Sequence, residues 1–291
     1  MHLDSSVAAR LINDIQDCHI LVVGDLMLDR FVDGAVTRIS PEAPVPVLSQ
    51  STSQQMPGGA ANVACNLAQL GARVTLIGAC GDDATAADLA AELQHFPRIT
   101  FIPVTVAGRP TSLKTRYRAS GQQILRVDDE VSIPINDSAQ AELSDRVNAV
   151  LDTADMLILS DYAKGCLPLT LIRSLVDAAQ AAKKLIVADP KLADLSVYRD
   201  VDVLTPNLQE LASATSTNLT ELDAIGATAA RLAKTHNIGA IITTLSARGI
   251  LASQGDGTQF HYPARTRDVF DVSGAVREHL EFFEKASLGE V

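Results

Sequence analysis

The stretch LKTRYR, residues 113–118, places three cationic side chains, Lys114, Arg116 and Arg118, at alternate positions. Alternate residues of a β-strand share one face, so a strand here would present all three cations on the same side. In a chain with a formal net charge of −11, a one-sided row of cations indicates a surface that binds a phosphate group. A solvated face of a small sheet explains the row equally well.

A pair of glycines precedes a predicted helix in PGGAANVACNLAQLGA, residues 57–72. Glycines at a helix start leave backbone N–H groups accessible and allow a ligand to approach closely. Asn62 would face the same point one turn later, and its amide can both donate and accept hydrogen bonds, as a polyhydroxylated ligand requires. The alternative is that the glycines only form a turn between a strand and a helix.

Polar side chains follow two further predicted strands. Asp25 and Asp29 in GDLMLDR come after an apolar run, and in an open α/β sheet ligands bind beyond the carboxyl ends of the strands. Both are therefore in the right place to bind sugar hydroxyls. In TPNLQE, Asn207 and Glu210 lie three residues apart, and a carboxylate such as that of Glu210 can hold a water bound to Mg²⁺. Both stretches are also compatible with ordinary loops and helix ends.

Two later turns could serve a reaction. TTLSARGI, residues 243–250, joins two apolar runs through a turn at Arg248-Gly249, which predicts either a plain hairpin or a loop that contacts a nucleotide. DVSGAV, residues 271–276, begins a helix after Gly274, and the N–H groups near Gly274 and Ala275 could stabilise a developing anion. Without such a role, this stretch is only the start of a helix.

The elements that must position these residues follow from hydrophobic periodicity. Near-continuous apolar runs, typical of parallel strands covered on both faces, alternate with amphipathic helical stretches such as residues 168–184 and 220–236. The alternation predicts an α/β fold, with a doubly wound, mostly parallel sheet flanked by helices. The predicted strands are HILVVGD (19–25), VTLIGAC (74–80), DMLILSD (155–161), KLIVADP (184–190), VDVLTP (201–206) and GAIITTL (239–245).

Two segments interrupt this alternation, at about residues 32–56 and 99–130. They alternate apolar and polar residues and contain turn signals, so we predict a small second sheet, a lid inserted at the edge of a single domain that spans residues 1–291. Exposed strand edges on such a lid could pair with a second copy, which predicts a possible homodimer.

Composition excludes several classes. The pI of about 4.9 argues against a nucleic-acid partner, because binding to a phosphate backbone requires a basic face. No apolar run reaches the roughly 18 residues of a membrane span, and the N-terminal residues lack the order of a signal peptide. The four cysteines are widely spaced and form no CxxC pair, which favours reduced thiols. We therefore expect a cytoplasmic protein without a membrane partner.

The motifs in this order resemble the ribokinase-type sugar kinases over nearly the whole chain up to Ala275. A narrower resemblance, to the heptose 7-phosphate kinases of lipopolysaccharide biosynthesis, rests on seven stretches together, namely GDLMLDRFVDG, RISPEAPVPVL, PGGAANVACNLAQLGA, LKTRYRASGQQILRVDDE, LSDYAKG, ADPK and LTPNLQE. The RISPEAPVPV stretch and the KTR…QQILRVD stretch are the most specific, because general ribokinase relatives do not share them. The resemblance implies that ATP phosphorylates the anomeric hydroxyl of D-glycero-D-manno-heptose 7-phosphate, giving the 1,7-bisphosphate that leads towards ADP-heptose. It also implies a ribokinase-like fold, the cofactors ATP and Mg²⁺, and a sugar phosphate as substrate.

The resemblance further implies roles for individual residues of the sugar site. Asp29, Gly59 and Asn62 would hold sugar hydroxyls, and Lys114 and Arg116 would lie near the 7-phosphate.

For the nucleotide, Asn207 and Glu210 match the family's NxxE motif, with Glu210 holding Mg²⁺ through water. Ser246 and Gly249 match the nucleotide loop, and Gly274 with Ala275 matches the anion hole.

The sequence departs from the family after Ala275. The family motif continues Gly-Ala-Gly-Asp with Asp as general base, whereas this chain has Val276 and Arg277. Arginine keeps its proton in proteins, so Arg277 cannot serve as that base. The resemblance implies that the C-terminal helices of the family are missing from this sequence, and we expect it to be too short for the nucleotidyltransferase domain that some relatives carry.

Three explanations of this departure remain, namely a truncation or frame change, a deliberate deletion, and a natural non-catalytic relative. Since the loss of motif and the loss of length begin together, we expect the first. The alternatives in function are a protein that binds a sugar phosphate or nucleotide without turnover, and a kinase for another sugar phosphate.

Overall fold

A nine-stranded sheet forms the centre of the molecule in the computed structural model, which describes residue 10 and residues 13–264. The spatial order is β13-β12-β11-β10-β9-β8-β1-β4-β5, and all neighbours are parallel except β11-β12 and β12-β13. The strands are β1 (His19–Gly24), β4 (Arg73–Cys80), β5 (Ile99–Thr105), β8 (Met156–Ser160), β9 (Leu185–Asp189), β10 (Val203–Leu204), β11 (Ala240–Thr244), β12 (Ile250–Gln254) and β13 (Gln259–Tyr262).

Helices connect the strands and cover both faces of this sheet. They are α1 (Ala60–Gln69), α2 (Ala84–Leu93), α3 (Asp137–Leu151), α4 (Leu169–Ala181), α5 (Leu208–Thr215) and α6 (Leu222–Thr235), with 3₁₀ turns at Leu195–Tyr198 and Ser246–Arg248. No helix in the described part of the chain is long and apolar enough to cross a membrane.

The central strands are apolar at most positions because most of their residues are buried from two sides. In β1, Leu21 and Val23 pack into a core with α3 and α4, whereas Ile20 and Val22 pack into a second core with α1 and α2. A strand that supplies two cores cannot alternate apolar and polar residues. The predicted doubly wound α/β sheet is therefore confirmed.

A second, four-stranded sheet forms the lid, in the order β3-β2-β6-β7. Only Asp25 separates the end of β1 from the start of β2, so the chain runs from the central sheet directly into the lid, and β3 returns directly into α1. The lid strands are β2 (Leu26–Ile39), β3 (Pro46–Gly59), β6 (Ser112–Ala119) and β7 (Gln122–Asp129).

The bounds of the lid differ from those expected from the sequence. Its first strand begins at Leu26 rather than near residue 32, and residues 99–105 form β5, which pairs in parallel with β4 at the edge of the central sheet. Strand β5 is the last strand of its sheet and is only partly buried, so its sequence alternates as a lid strand does. Periodicity alone cannot distinguish an edge strand of one sheet from a strand of the other.

Burial in the central sheet predicts the effect of two equivalent substitutions. Leu157 in β8 is fully buried, and we expect Leu157→Ala to lower the free energy of unfolding by about 2–5 kcal/mol through lost burial and a residual cavity. Leu185 in β9 is 55% exposed, and we expect Leu185→Ala to change it by about 0.5 kcal/mol or less. Urea unfolding measures both, and equal losses would contradict the two-sided burial of the sheet.

Candidate active site

A cleft of about 400 Å³ lies between the lid and the carboxyl ends of the central strands. The lid supplies one wall from all four of its strands. The loops after β8 and β9 and the first turn of α1 supply the other. The lining residues are Met27, Asp29, Met56, Pro57, Gly59, Asn62, Lys114, Arg116, Arg126, Tyr162, Lys164 and Lys191.

The five residues expected to hold a sugar phosphate all line this one cleft. They come from three lid strands and α1, namely Asp29 on β2, Gly59 on β3, Asn62 on α1, and Lys114 and Arg116 on β6. The register explains this, because Asp29 lies opposite Lys114 in the parallel pair of β2 and β6. The structure thus brings the five together, and their individual roles stay predictions.

Gly59 has a structural reason to be glycine. Its backbone angles are φ 57° and ψ −133°, and a Cβ atom there would lie 2.5 Å from the carbonyl oxygen of Asp25. This close approach allows the N–H of Ala60 to donate to the same carbonyl at 3.0 Å, which fixes the start of α1. The glycine therefore sets the position of Asn62, one turn later.

Asp25 does not contact the cleft, contrary to the expectation that it binds sugar hydroxyls beside Asp29. Its side chain is buried, and its carboxylate accepts hydrogen bonds from the backbone N–H groups of Tyr162 at 2.8 Å, Lys164 at 3.1 Å and Cys166 at 2.9 Å. Position 25 is one residue after β1, where the chain is still inside the core. Asp25 therefore orders the loop after β8 that supplies one wall of the cleft.

The cations of the cleft are paired with carboxylates. Arg116 bonds Asp29 and lies 5.3 Å from the centre of the Phe31 ring, which fixes its guanidinium beside the predicted sugar site. Lys114 bonds Asp128 at 3.2 Å and Glu130 at 2.6 Å. Asp29 is the one acidic side chain among the described residues that line the cleft, so the surface that a ligand would meet is cationic.

Four polar lining residues were not predicted as site residues, namely Arg126, Tyr162, Lys164 and Lys191. Arg126 lies directly opposite Arg116 in the antiparallel pair of β6 and β7. Tyr162, Lys164 and Lys191 follow the ends of β8 and β9, and the rule that ligands bind beyond carboxyl ends could have identified them. Lys191 also lies 6.0 Å from the centre of the Tyr162 ring.

The residues expected to bind the nucleotide lie at the ends of the neighbouring strands β10 and β11. Asn207 caps α5, and its side chain accepts from the N–H of Glu210 at 2.9 Å, while the Glu210 carboxylate accepts from the N–H of Asn207 at 2.8 Å. Asn207 also forms a parallel bridge with Thr244 at the end of β11. Glu210 bonds Lys191 as well, which joins this group to the cleft.

The turn after β11 contains the two other expected nucleotide residues. Ser246 has a positive φ of 53°, and Gly249 has φ 90° with its Cβ position only 2.0 Å from the carbonyl oxygen of Tyr262. Packing against β13 therefore explains the glycine without a ligand, and the role of the turn stays a prediction. Gly274, Ala275, Val276 and Arg277 lie outside the described residues.

The carboxylates near the proposed nucleotide site suit Mg²⁺ only if the ion keeps several of its bound water molecules. The described residues contain no group of three or more His, Cys, Asp or Glu side chains that could hold a metal ion. Asp189, at the end of β9, is close enough to Glu210 for the charge of Glu210 to disfavour its ionisation. Mg²⁺ commonly retains several waters and binds one or two carboxylates together with substrate phosphates, and Glu210 fits this mode.

The chain belongs to the pfkB family of carbohydrate kinases, whose family model matches residues 18–275. Among its relatives is the bifunctional protein HldE of Azorhizobium caulinodans, which is 42% identical over 266 residues, or 91% of this chain and 55% of the relative. HldE of Hyphomonas neptunium is 41% identical over 93% of this chain and 56% of the relative. The chain spans about half the length of the curated relatives it matches.

Solved structures share the fold at low sequence identity. Phosphofructokinase-2 from Escherichia coli, in complex with substrates and products, superposes with a TM-score of 0.73 at 20% identity, over 94% of this chain and 87% of that chain. Arabidopsis thaliana ribokinase, complexed with ribose and ATP, gives a TM-score of 0.65 at 18% identity, over 94% and 87%. The predicted ribokinase-like fold is confirmed.

Asp189 predicts a pH dependence of stability. Burial raises its pKa to about 6, the charge of Glu210 acts in the same direction, and the hydrogen bond from Thr205 opposes both. Because this folded-state pKa exceeds the unfolded value of roughly 4, the carboxyl stabilises the fold at low pH and loses that contribution as pH rises through 6. Asp189→Asn has no carboxyl group to ionise, so the variant should not lose stability in this way as the pH rises.

We therefore expect Asp189→Asn to be more stable than the parent at pH 7 by roughly 3 kcal/mol, with the difference vanishing near pH 4. Urea unfolding at a series of pH values measures it. A difference that does not change between pH 4 and pH 7 would show that Asp189 does not ionise with a raised pKa.

Proposed function

We propose that this chain is a sugar kinase that transfers the γ-phosphate of ATP to the anomeric hydroxyl of D-glycero-D-manno-heptose 7-phosphate. The product would be the 1,7-bisphosphate, on the route to ADP-heptose and the lipopolysaccharide core. The observation that carries the proposal is the cleft, which an acidic chain lines with five cations beside Asp29, Gly59 and Asn62. The similarity to HldE proteins and the lid motifs support the heptose phosphate over other sugars.

The sugar would lie between the lid and α1. The Asp29 carboxylate accepts hydrogen bonds from hydroxyl groups, the Asn62 amide can donate and accept them, and the absent side chain of Gly59 lets the sugar approach the backbone. Lys114 and Arg116 would bind the 7-phosphate through charge-assisted hydrogen bonds. An unphosphorylated sugar would leave these cations without a ligand, so the cleft favours a phosphorylated one.

The nucleotide would bind over the ends of β10 and β11. Asn207, Ser246 and Gly249 would contact ATP, and Glu210 would hold a water of Mg²⁺. When bound, Mg²⁺ neutralises charge on the transferring phosphate. Lys191 bonds Glu210 and also lines the cleft, so it lies between the proposed nucleotide and sugar sites.

The transfer forms a bond between the anomeric oxygen and the γ-phosphorus, and it breaks the bond between that phosphorus and the leaving oxygen of ADP. The hydroxyl proton must leave to a base. Arg277 stands at the family's base position and holds its own proton. A positioned base contributes about 10²–10⁴-fold, so we propose that the chain keeps its binding sites and has lost most of its rate.

Release of ADP tests the proposal directly. The purified chain, its Arg277→Asp variant and an Arg231→Asp control would be compared with Mg-ATP, with and without D-glycero-D-manno-heptose 7-phosphate. Arg231 is an exposed residue of α6, so its substitution repeats the charge change away from the cleft. We expect heptose-dependent ADP release to rise about 10²-fold or more in Arg277→Asp alone.

Heptose 7-phosphate binding without turnover in every variant would favour the alternative of a sugar-phosphate-binding relative. Faster ADP release with a hexose phosphate than with the heptose phosphate would contradict the proposed substrate. Absence of both binding and turnover would refute the kinase assignment for this chain.

We also propose that the lid pairs two copies of the chain. The lid carries exposed apolar side chains on its strands and on the connection between β2 and β3, and monomeric surfaces rarely collect such side chains in one region. These residues are Val36, Ile39, Val45, Ile124, Leu125 and Val127.

For this proposed dimer, we expect Leu125→Asp to convert a dimer into a monomer, because a charge would be buried at the interface. Leu125 and Leu185 are both 55% exposed, but Leu185 lies on β9, so Leu185→Asp is the matched control and should stay dimeric. Light scattering across a dilution series measures the mass, and a monomeric parent at every concentration would refute the dimer.

A further inference from the structure

Glu130 joins the lid to the central α/β layer through two lysines. It directly follows β7, and its Oε2 atom accepts a hydrogen bond from Lys114 Nζ at 2.6 Å. Its Oε1 atom accepts one from Lys164 Nζ at 2.5 Å. Lys114 belongs to lid strand β6 and Lys164 to the loop after β8, so one carboxylate holds a cation from each wall of the cleft.

The two lysines face the cleft and Glu130 lies behind them. Both lysines are among the described lining residues, whereas Glu130 is not. Partial burial opposes ionisation of Glu130, but hydrogen bonds from the two lysines outweigh it and hold its pKa below the ordinary value. Glu130 is therefore an anion at neutral pH that contacts the lysines and leaves their cleft side accessible.

The backbone around Glu130 is fixed against the loop that carries Lys164. Arg109 donates to the carbonyl oxygen of Ile133 at 2.8 Å and also to that of Lys164. The N–H of Ile135 donates to the carbonyl of Gly165 at 3.0 Å. These hydrogen bonds join the segment that follows Glu130 to the loop that carries Lys164, so the position of the Glu130 carboxylate is fixed relative to that loop.

We propose that Glu130 is a positioning residue that holds Lys114 and Lys164 together as a pair that binds the phosphate group of the substrate. This rests on the proposed function, in which the substrate is a sugar phosphate. An ammonium group has three N–H donors, so each lysine can bond Glu130 and still donate to a phosphate in the cleft. The opposite possibility, that Glu130 competes with phosphate for the lysines, predicts the opposite change in affinity when its charge is removed.

Calorimetric titration of the full chain separates these possibilities. The probes are D-glycero-D-manno-heptose 7-phosphate, the same heptose without phosphate, and inorganic phosphate. We expect Glu130→Gln to weaken binding of both phosphate-containing probes about tenfold, because a charged hydrogen-bond partner of each lysine is lost. Affinity for the unphosphorylated heptose should change about twofold or less, as for substitutions away from a ligand.

Asp88→Asn is the matched control. Asp88 lies on α2 and bonds Arg30 at 3.3 Å and Gln55 at 3.1 Å, so it also joins the lid to the α/β layer, away from both lysines. We expect it to leave all three affinities within about twofold of the parent. An equal loss in Asp88→Asn and Glu130→Gln would show a general effect of lid attachment and overturn the proposal.

A second variant keeps the proposal testable if Glu130→Gln does not fold. Glu130→Asp retains the charge but withdraws the carboxylate by one methylene, and it should show the same phosphate-selective loss. In a Lys164→Met background, substitution of Glu130 should cost less than in the parent, because residues that act together are not additive. Full additivity would contradict the shared role.

The remaining outcomes distinguish this proposal from the proposed function. Tighter phosphate binding by Glu130→Gln, or an equal loss for the heptose without phosphate, would overturn the positioning role while leaving the kinase proposal intact. Binding of inorganic phosphate but not of heptose 7-phosphate by the parent would refute the substrate, and the phosphate titrations would still decide the role of Glu130. If the parent binds neither, both proposals fail.

Discussion

The buried carboxylate of Asp25 is the interaction on which the site depends. It accepts three backbone N–H groups from the loop after β8, and its own carbonyl accepts the N–H that begins α1. A buried anion is tolerated only where hydrogen bonds replace its hydration, and here the backbone supplies them. One residue at the end of β1 therefore fixes the wall that carries Tyr162 and Lys164 as well as the helix that carries Asn62.

Charge balance organises the rest of the cleft. A chain with net charge −11 can present a cationic surface only if cations are concentrated there and their counterions are set behind them. Asp128, Glu130 and Glu210 occupy such positions, since each bonds a lining cation without lining the cleft among the described residues. The arrangement keeps the cations ordered and leaves donors for an anionic ligand.

Short connections and ion pairs hold the lid against the central α/β layer. β1 continues into β2 and β3 returns into α1, so the lid is anchored by short connections at the point where the sugar would bind. Ion pairs at Glu130 and Asp88 add two further attachments between the lid and the layer beneath. The position of the lid is therefore determined by the same residues that shape the cleft.

The sequence by itself determined the class of fold and the positions of six of the nine central strands, because burial on both faces forces a continuous apolar run. It also placed Lys114 and Arg116 on the same face of one strand, because side chains alternate between the two faces of a strand whatever the rest of the fold is. Only the tertiary structure decided that β5 joins the central sheet and that Asp25 accepts hydrogen bonds from backbone N–H groups instead of contacting the cleft. It also decided that Lys164, Lys191 and Arg126 line the cleft. These facts depend on which strands become neighbours and which atoms fill buried space, and neither is encoded in the spacing of residues along the chain.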